Sequence, residues 1–260
     1  MKYALLVGIN YEGTRSELNG CINDANNLKN VLISKWGYKP ENITMLTDKT
    51  KKKPTKNNIM KELSRHVQIE GMTDFWFSYS GHGSYVKDTN GDEKDNREET
   101  LVPLDYSRRG LITDDVLHHI FTMLNPSVKS VVLIDACHSG TMLDLKHRYI
   151  SGLKRVIENP KDFIKSNILM ISGCLDSQTS ADAYNINNSR KYEGAMTRSF
   201  IDALEKNDYN ITCFKLLKEM RKFLQEKKFT QIPQMCSTKI LSNTSIISNN
   251  NKDIIYLNCQ

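Results

Sequence analysis

Two residues of this chain could carry nucleophilic chemistry together. Cys137 stands in Asp135-Ala136-Cys137-His138-Ser139-Gly140, directly after the apolar run Val131-Val132-Leu133-Ile134. His82 stands between Gly81 and Gly83, at the end of Phe75-Trp76-Phe77-Ser78-Tyr79-Ser80. A thiolate, not a thiol, attacks a carbonyl, and a neighbouring imidazole can take the proton. Backbone N–H groups at Gly83 and Cys137 would bind the oxyanion of an acyl-transfer intermediate. His138 is a second candidate base. On an extended segment it would turn its side chain away from the adjacent Cys137, so His82 is the preferred partner.

Two acids come next. Asp135 lies two residues before Cys137, so on an extended segment both side chains share a face. Asp24 lies in Gly20-Cys21-Ile22-Asn23-Asp24, after the first apolar run of the chain. Two carboxylates beside a thiol would attract a Lys or Arg side chain of a substrate and would not suit an acidic one.

The elements that must position these groups follow from periodicity. The run ending at Ile134 and the run ending at Ser80 read as buried strands, each delivering its reactive residue at the carboxyl end, where open α/β sheets place their ligands. Tyr3 to Asn10 reads as a first strand. Cys21 to Trp36 reads as a helix stopped by Gly37, and Ile43 to Leu46 as a short strand. Thr55 is an N-cap for a helix through Ile59, Leu63 and Val67. This β-α-β-α-β order predicts a mostly parallel sheet with helices on both faces. Leu101 to Asp105 reads as an extended piece, and Thr113 as the N-cap of a helix through Leu124. Residues 141–166 have a weak, basic pattern and are expected to be a mobile connection, with self-cleavage after Lys146, Arg148, Lys154 or Arg155. Asn167 to Ser172 reads as a strand, Met196 to Leu204 and Thr212 to Leu224 as helices. Ile232 to Cys236 and Ile254 to Leu257 read as late strands, with a Ser/Asn-rich loop from Ser242 to Lys252 between them.

The totals bound the class. A chain of 260 residues with 39% hydrophobic and 25% charged residues suits one globular domain. A net charge of +6 does not demand a polyanion, and the only like-charge run, Lys51-Lys52-Lys53, reads as a solvated loop, so no nucleic acid is expected. Six scattered cysteines without a Cys-x-x-Cys pair, and no signal peptide, favour reduced thiols in a cytoplasmic setting. The apolar start is too short to span a membrane. Asp88, Asp92 and Asp95 do not meet the Gly and Glu spacing of an EF-hand loop.

With His82 about 55 residues ahead of Cys137, the order and spacing are those of caspase-type cysteine peptidases. The sequence resembles a metacaspase of the type I kind, over residues 1 to about 240. The matching motifs are Ser78-Tyr79-Ser80-Gly81-His82-Gly83, Leu101-Val102-Pro103-Leu104-Asp105, Ile112-Thr113-Asp114-Asp115 and Asp135-Ala136-Cys137-His138-Ser139-Gly140. Ile171-Ser172-Gly173-Cys174, Gln178-Thr179-Ser180-Ala181-Asp182 and Gly194-Ala195-Met196-Thr197 match as well. The resemblance implies a caspase–hemoglobinase fold. Residues 1–150 would be the large-subunit-like region, 151–166 a basic connection, and 167–260 a small-subunit-like region completing the same domain. It implies a His82/Cys137 dyad, a basic-residue pocket of Cys21, Asp24, Ser80 and Asp135, and cleavage after Arg or Lys. It also implies calcium held by Glu98, Asp114, Asp115 and Asp144, with Glu98 standing where the family commonly has Asp. The usual N-terminal Pro-rich or zinc-finger extension is missing from this sequence, so a stand-alone protease domain is the expectation; a self-processing, monomeric endopeptidase is expected as well. A catalytically idle scaffold and a peptide ligase using the same acyl-enzyme are the alternatives.

Overall fold

The computed structural model describes residues 1–87, 97–137, 139–173, 182–184, 192–248 and 255–256. The chain opens with β1 (Lys2–Gly8), α1 (Cys21–Trp36), β2 (Ile43–Thr47), α2 (Lys56–Val67) and β3 (Asp74–Ser80). A small antiparallel unit follows: β4 (Gly83–Lys87), β5 (Arg97–Leu101), a single turn α3 (Tyr106–Arg109) and β6 (Ile112–Thr113). Then come α4 (Asp114–Thr122), β7 (Lys129–Asp135), β8 (His147–Ser151), β9 (Lys154–Ile157) and β10 (Asn167–Ser172). The last third holds β11 (Asp182–Tyr184), β12 (Tyr192–Gly194), α5 (Ala195–Glu205), β13 (Asn210–Thr212), α6 (Cys213–Glu226), β14 (Gln234–Ser237), β15 (Ile246–Ser248) and β16 (Ile255–Tyr256).

Eight strands form one sheet in the order β2-β1-β3-β7-β10-β14-β8-β9. The first five run parallel, and β14, β8 and β9 continue the sheet antiparallel. The period-2 alternation of the strands sends side chains to two cores. Leu5, Val7, Phe75, Phe77, Val132 and Ile134 pack with Ile59 and Leu63 of α2 and Leu117 and Phe121 of α4. Ala4, Leu6, Trp76, Val131 and Leu133 pack on the opposite face with α1, α5 and α6. Burying both faces is why these strands read as continuous apolar runs.

The helix ends follow local chemistry. Gly37, in the left-handed region, closes α1 by donating its N–H to the Leu32 carbonyl. Thr55, Thr113 and Thr212 cap α2, α4 and α6 by accepting from Asn58, Val116 and Lys215 N–H groups.

Four expectations are corrected. The first strand stops at Gly8, before Asn10, where the chain turns into the loop ahead of α1. The strand expected from Leu101 ends at Leu101, because Arg97–Leu101 pairs with β4 and Pro103 follows. Residues 141–166 are not a mobile connection: Leu143, Leu145 and Tyr149 are buried, and the β8–β9 hairpin extends the main sheet through β14. The Ser/Asn-rich loop contains β15, whose Ile247 is buried and which pairs with β13 and β16. The readings at His138, Cys174, Gln178 to Ala181, Cys259 and the acids Asp88, Asp92 and Asp95 lie outside the described residues.

Candidate active site

The register of the sheet decides where the reactive residues meet. β3 and β7 are parallel neighbours with Ser80 opposite Asp135. His82 and Cys137 each follow two residues later, so they leave adjacent strand ends together. Gly81 N–H donates to the Asp135 carbonyl at 3.2 Å and holds the two exits parallel beyond the sheet.

His82 is fixed from three sides. Its Nε2 lies 2.8 Å from the Ser16 carbonyl oxygen. A carbonyl only accepts, so Nε2 carries the proton and the neutral ring keeps Nδ1 free as a base. Its backbone N–H donates to the Tyr11 hydroxyl at 3.0 Å, and its carbonyl accepts from the Tyr79 hydroxyl at 2.8 Å. The Tyr11 ring packs on the imidazole with centroids 4.7 Å apart. The Tyr11 hydroxyl donates to the Val102 carbonyl at 2.6 Å and lies 3.1 Å from the Tyr79 hydroxyl. Burial pushes both phenols above their ordinary range, so they stay protonated and serve as donors. Sequence reasoning gave no role to Tyr11, Ser16 or Tyr79; Tyr11 and Ser16 lie in the loop after β1 and Tyr79 near the end of β3, and no local pattern links them to His82.

Cys137 is partly exposed and reduced. Gly83 runs directly against it: a Cβ on Gly83 would fall 1.8 Å from the Cys137 carbonyl oxygen and 3.1 Å from its backbone nitrogen. The two residues read as oxyanion donors therefore have their backbones in contact. The other described cysteines are buried, and burial raises the Cys213 thiol to about 12, which leaves it unreactive.

The acids converge beside this pair. Asp24, on the first turn of α1, is fully buried. It accepts from Ser80 Oγ at 2.6 Å and from the Gly194 N–H at 2.9 Å. Asp135 Oδ2 accepts from both the N–H and the hydroxyl of Thr197, each at 2.9 Å. Gly194 is wedged between them: a Cβ there would sit 2.3 Å from Asp135 Oδ2 and 2.6 Å from Asp24 Oδ2. Burial first, and the Asp135 charge second, hold the Asp24 carboxyl well above the usual carboxylate range. Cys21 starts the same helix and is buried with its carbonyl against Gly8. Thr197 and Gly194 belong to a stretch noted in the sequence but assigned no role there; their partners lie too far along the chain for any local pattern to show them.

A second acid group lies behind the cysteine loop. Asp114, the first residue of α4, is buried and accepts from the Glu99 N–H at 2.7 Å and the Asp115 N–H at 2.9 Å. Its carboxyl is pushed up to about 10 by burial, by a hydrogen bond with Glu98 and by the Asp144 charge. Thr141, four residues after Cys137, donates its hydroxyl to Glu99 at 2.7 Å. Among the described residues no three acids, histidines or cysteines stand as a closed ligand set. Glu98 and Asp144 both act on the Asp114 carboxyl, and these are all oxygen donors, the type a hard cation takes.

Comparisons with known proteins agree with this architecture. The family described as metacaspase, peptidase C14 domain matches residues 2–146. The chain is 34% identical to Metacaspase-1 of Kluyveromyces lactis, with 94% of this chain and 68% of the relative covered. It is 39% identical to Metacaspase-1 of Arabidopsis thaliana, covering 85% and 64%. It thus spans about two thirds of the length of these relatives. Among solved structures, Caspase-1 from Spodoptera frugiperda superposes with a TM-score of 0.60 at 13% identity, covering 97% of this chain and 90% of that one. A Geobacter sulfurreducens protein gives 0.64 at 23%, covering 91% and 92%. The fold is therefore the caspase-like α/β fold, and no helix among the described residues is long and apolar enough to cross a membrane. The chain belongs to the metacaspases, cysteine-type endopeptidases of the peptidase C14 family.

Proposed function

We propose that this chain hydrolyses polypeptides after Arg or Lys through a Cys137 thioacyl intermediate. The observation that carries the specificity is the buried pair Asp24 and Asp135, held apart only by Gly194 and placed at the strand ends that also deliver His82 and Cys137. A guanidinium or ammonium entering there relieves the repulsion that raises the Asp24 carboxyl, whereas an acidic side chain would add to it.

In this reading Nδ1 of His82 takes the Cys137 proton, and the thiolate attacks the scissile carbonyl. The N–H groups of Gly83 and Cys137 receive the oxyanion; losing one such donor typically costs about 3 kcal/mol of barrier. His82 then gives its proton to the leaving amine and takes one from the water that hydrolyses the thioester. Ser16, Tyr11 and Tyr79 keep the ring in the required tautomer and position. Glu98, Asp114, Asp115 and Asp144 would hold calcium, which would neutralise their mutual repulsion. The protein's own part is the link from Glu99 to Thr141, which transmits order in that acid group to the loop following Cys137. The scattered cysteine spacing, without a Cys-x-x-Cys pair, supports a reducing, cytoplasmic setting. Self-processing, with substrate proteins as the only partners of a monomer, completes the proposal.

The test is turnover on matched peptides ending in Arg, Lys or Asp at the cut, with and without calcium, with Cys137→Ala as the blank. Cleavage after Asp at or above the basic peptides would overturn the specificity. Failure of a covalent thiol reagent to titrate Cys137 would favour an idle scaffold, and joined rather than hydrolysed products would reveal a ligase.

A further inference from the structure

Glu193 is a buried acid that the mechanism above does not use. It is 4% exposed, on β12 one residue before the glycine wedged between Asp24 and Asp135. Its Oε1 accepts from Asn27 Nδ2 at 2.9 Å, while its Oε2 is buried with no hydrogen-bond partner. Asn27 lies one helical turn beyond Asp24 on α1, so the Glu193 carboxylate faces the turn that carries Asp24. Its charge acts on Asp24 in the direction that raises that carboxyl.

A buried carboxylate oxygen left unpaired is expensive, and nothing in the resting protein compensates it. We propose that Glu193 is a specificity-determining residue, the third carboxylate of the pocket, whose free oxygen is paired by the far nitrogens of a substrate guanidinium. This rests on the reading that the pocket takes basic side chains. The donor count favours arginine. Asp24 and Asp135 each already spend oxygens on Ser80, Gly194 and Thr197. A guanidinium brings five N–H donors in a planar fork, enough to reach three carboxylates at separate points. An ammonium brings three from one atom and leaves the most distant acid unserved. Glu193 thus makes the pocket prefer Arg to Lys beyond the charge common to both.

The experiment compares wild type, Glu193→Gln and Asn27→Ala on peptides differing only in Arg or Lys at the cut. Active sites are counted by alkylation of Cys137, and melting temperature is recorded. Glu193→Gln keeps the shape and the Asn27 contact and removes the charge. Its kcat/KM on Arg should fall about tenfold, carried by KM, with a smaller loss on Lys. Its acid limb of kcat/KM should move to lower pH, because Asp24 loses a like-charged neighbour. Asn27→Ala removes the structural tie and should keep the Arg-to-Lys ratio. Equal losses on both peptides, or the same ratio change in Asn27→Ala, would make Glu193 structural and overturn the inference. A wild type that cleaves the Arg and Lys peptides equally well would overturn the inference too, whereas one that cleaves neither would overturn the function it rests on.

Discussion

The backbone of Gly83 lies against the backbone of Cys137 with no room for a side-chain carbon between them. Nothing flexible stands in the way that could move aside, since the obstructing atoms are the carbonyl carbon and oxygen and the amide nitrogen of the nucleophile itself. Gly83→Ala must push the cysteine loop away from His82. A displacement near 1 Å of a reacting group costs about 100-fold. The variant should lose turnover by about that factor while melting close to wild type, because the contact is at a strand exit and not in either core. Steady-state kinetics with a thermal melt decide this; unchanged kcat would show that the loop accommodates the methyl group freely.

Asp135 should be the costliest pocket residue to neutralise. It receives two donors from Thr197 and is buried, and in the proposed reading it would pair with the substrate cation. Asp135→Asn should raise the barrier for Arg peptides by about 3–5 kcal/mol, the range for breaking a buried charge pair. A loss smaller than tenfold in kcat/KM would separate Asp135 from substrate binding.

The raised Asp24 carboxyl fixes a pH signature. Only the ionised form attracts a cation, so kcat/KM on basic peptides should fall as pH drops through a value above the ordinary carboxylate range. Stability runs the other way. The unfolded chain has an ordinary Asp, near 3.9, and the folded one binds its proton more tightly. The group's contribution is therefore complete below about pH 4 and is lost as pH rises through the folded value. A peptide aldehyde ending in Arg should restore it, so its increment in melting temperature should grow with pH. An increment that does not grow as pH rises above the ordinary carboxylate range would contradict this account.

Calcium should act on the loop after Cys137. Asp114→Asn together with Asp115→Asn removes two carboxylates while keeping their shape, and should raise the calcium concentration needed for half-maximal activity. In wild type, calcium should protect residues 141–145 from amide exchange, because Thr141 is tied to the acid group through Glu99. Full activity in excess chelator would remove the metal from the mechanism.

Self-cleavage is constrained by the hairpin. Of Lys146, Arg148, Lys154 and Arg155, only Lys154 is exposed, next to the Gly152-Leu153 tip, whereas Arg148 is paired with Glu158 at 2.7 Å. β9 lies four strands from β7 in the sheet, about 19 Å across. A molecule cannot bring its own tip to Cys137 without dismantling that edge. Cleavage after Lys154 should therefore occur between molecules, with an initial rate rising as the square of enzyme concentration. A concentration-independent fraction cleaved per minute, or a new N-terminus at Ile150 or earlier, would count against it.

What could be read from the sequence was what burial writes locally. The runs ending at Ser80 and Ile134 are apolar on both faces because both faces are covered, and so their carboxyl ends, with His82 and Cys137, were visible. The β8–β9 hairpin was not, because its buried residues, among them His147 and Tyr149, alternate with basic ones and depend on β14, a partner encoded far downstream. β15 was hidden for a similar reason: two isoleucines in a Ser/Asn-rich segment become a strand between β13 and β16. Asp24 and Asp135 could be proposed from their places in the chain. The groups that hold them, Gly194 and Thr197, lie 170 and 62 residues away and leave no periodic trace.

The interleaved order of the sheet also determines what a severed chain would be. A break at the Gly152-Leu153 tip leaves β8 on the first piece and its partner β14 on the second, while β7 and β10, also on different pieces, remain zipped in parallel. Neither piece owns a complete pocket, since Asp135 belongs to one and Thr197 to the other. The two halves should therefore behave as complementing fragments: each alone would expose unpaired strand edges, and catalysis should return only on reassembly. Expressed as separate polypeptides, 1–152 and 153–260 should act as a split reporter in which peptide cleavage reads out their encounter.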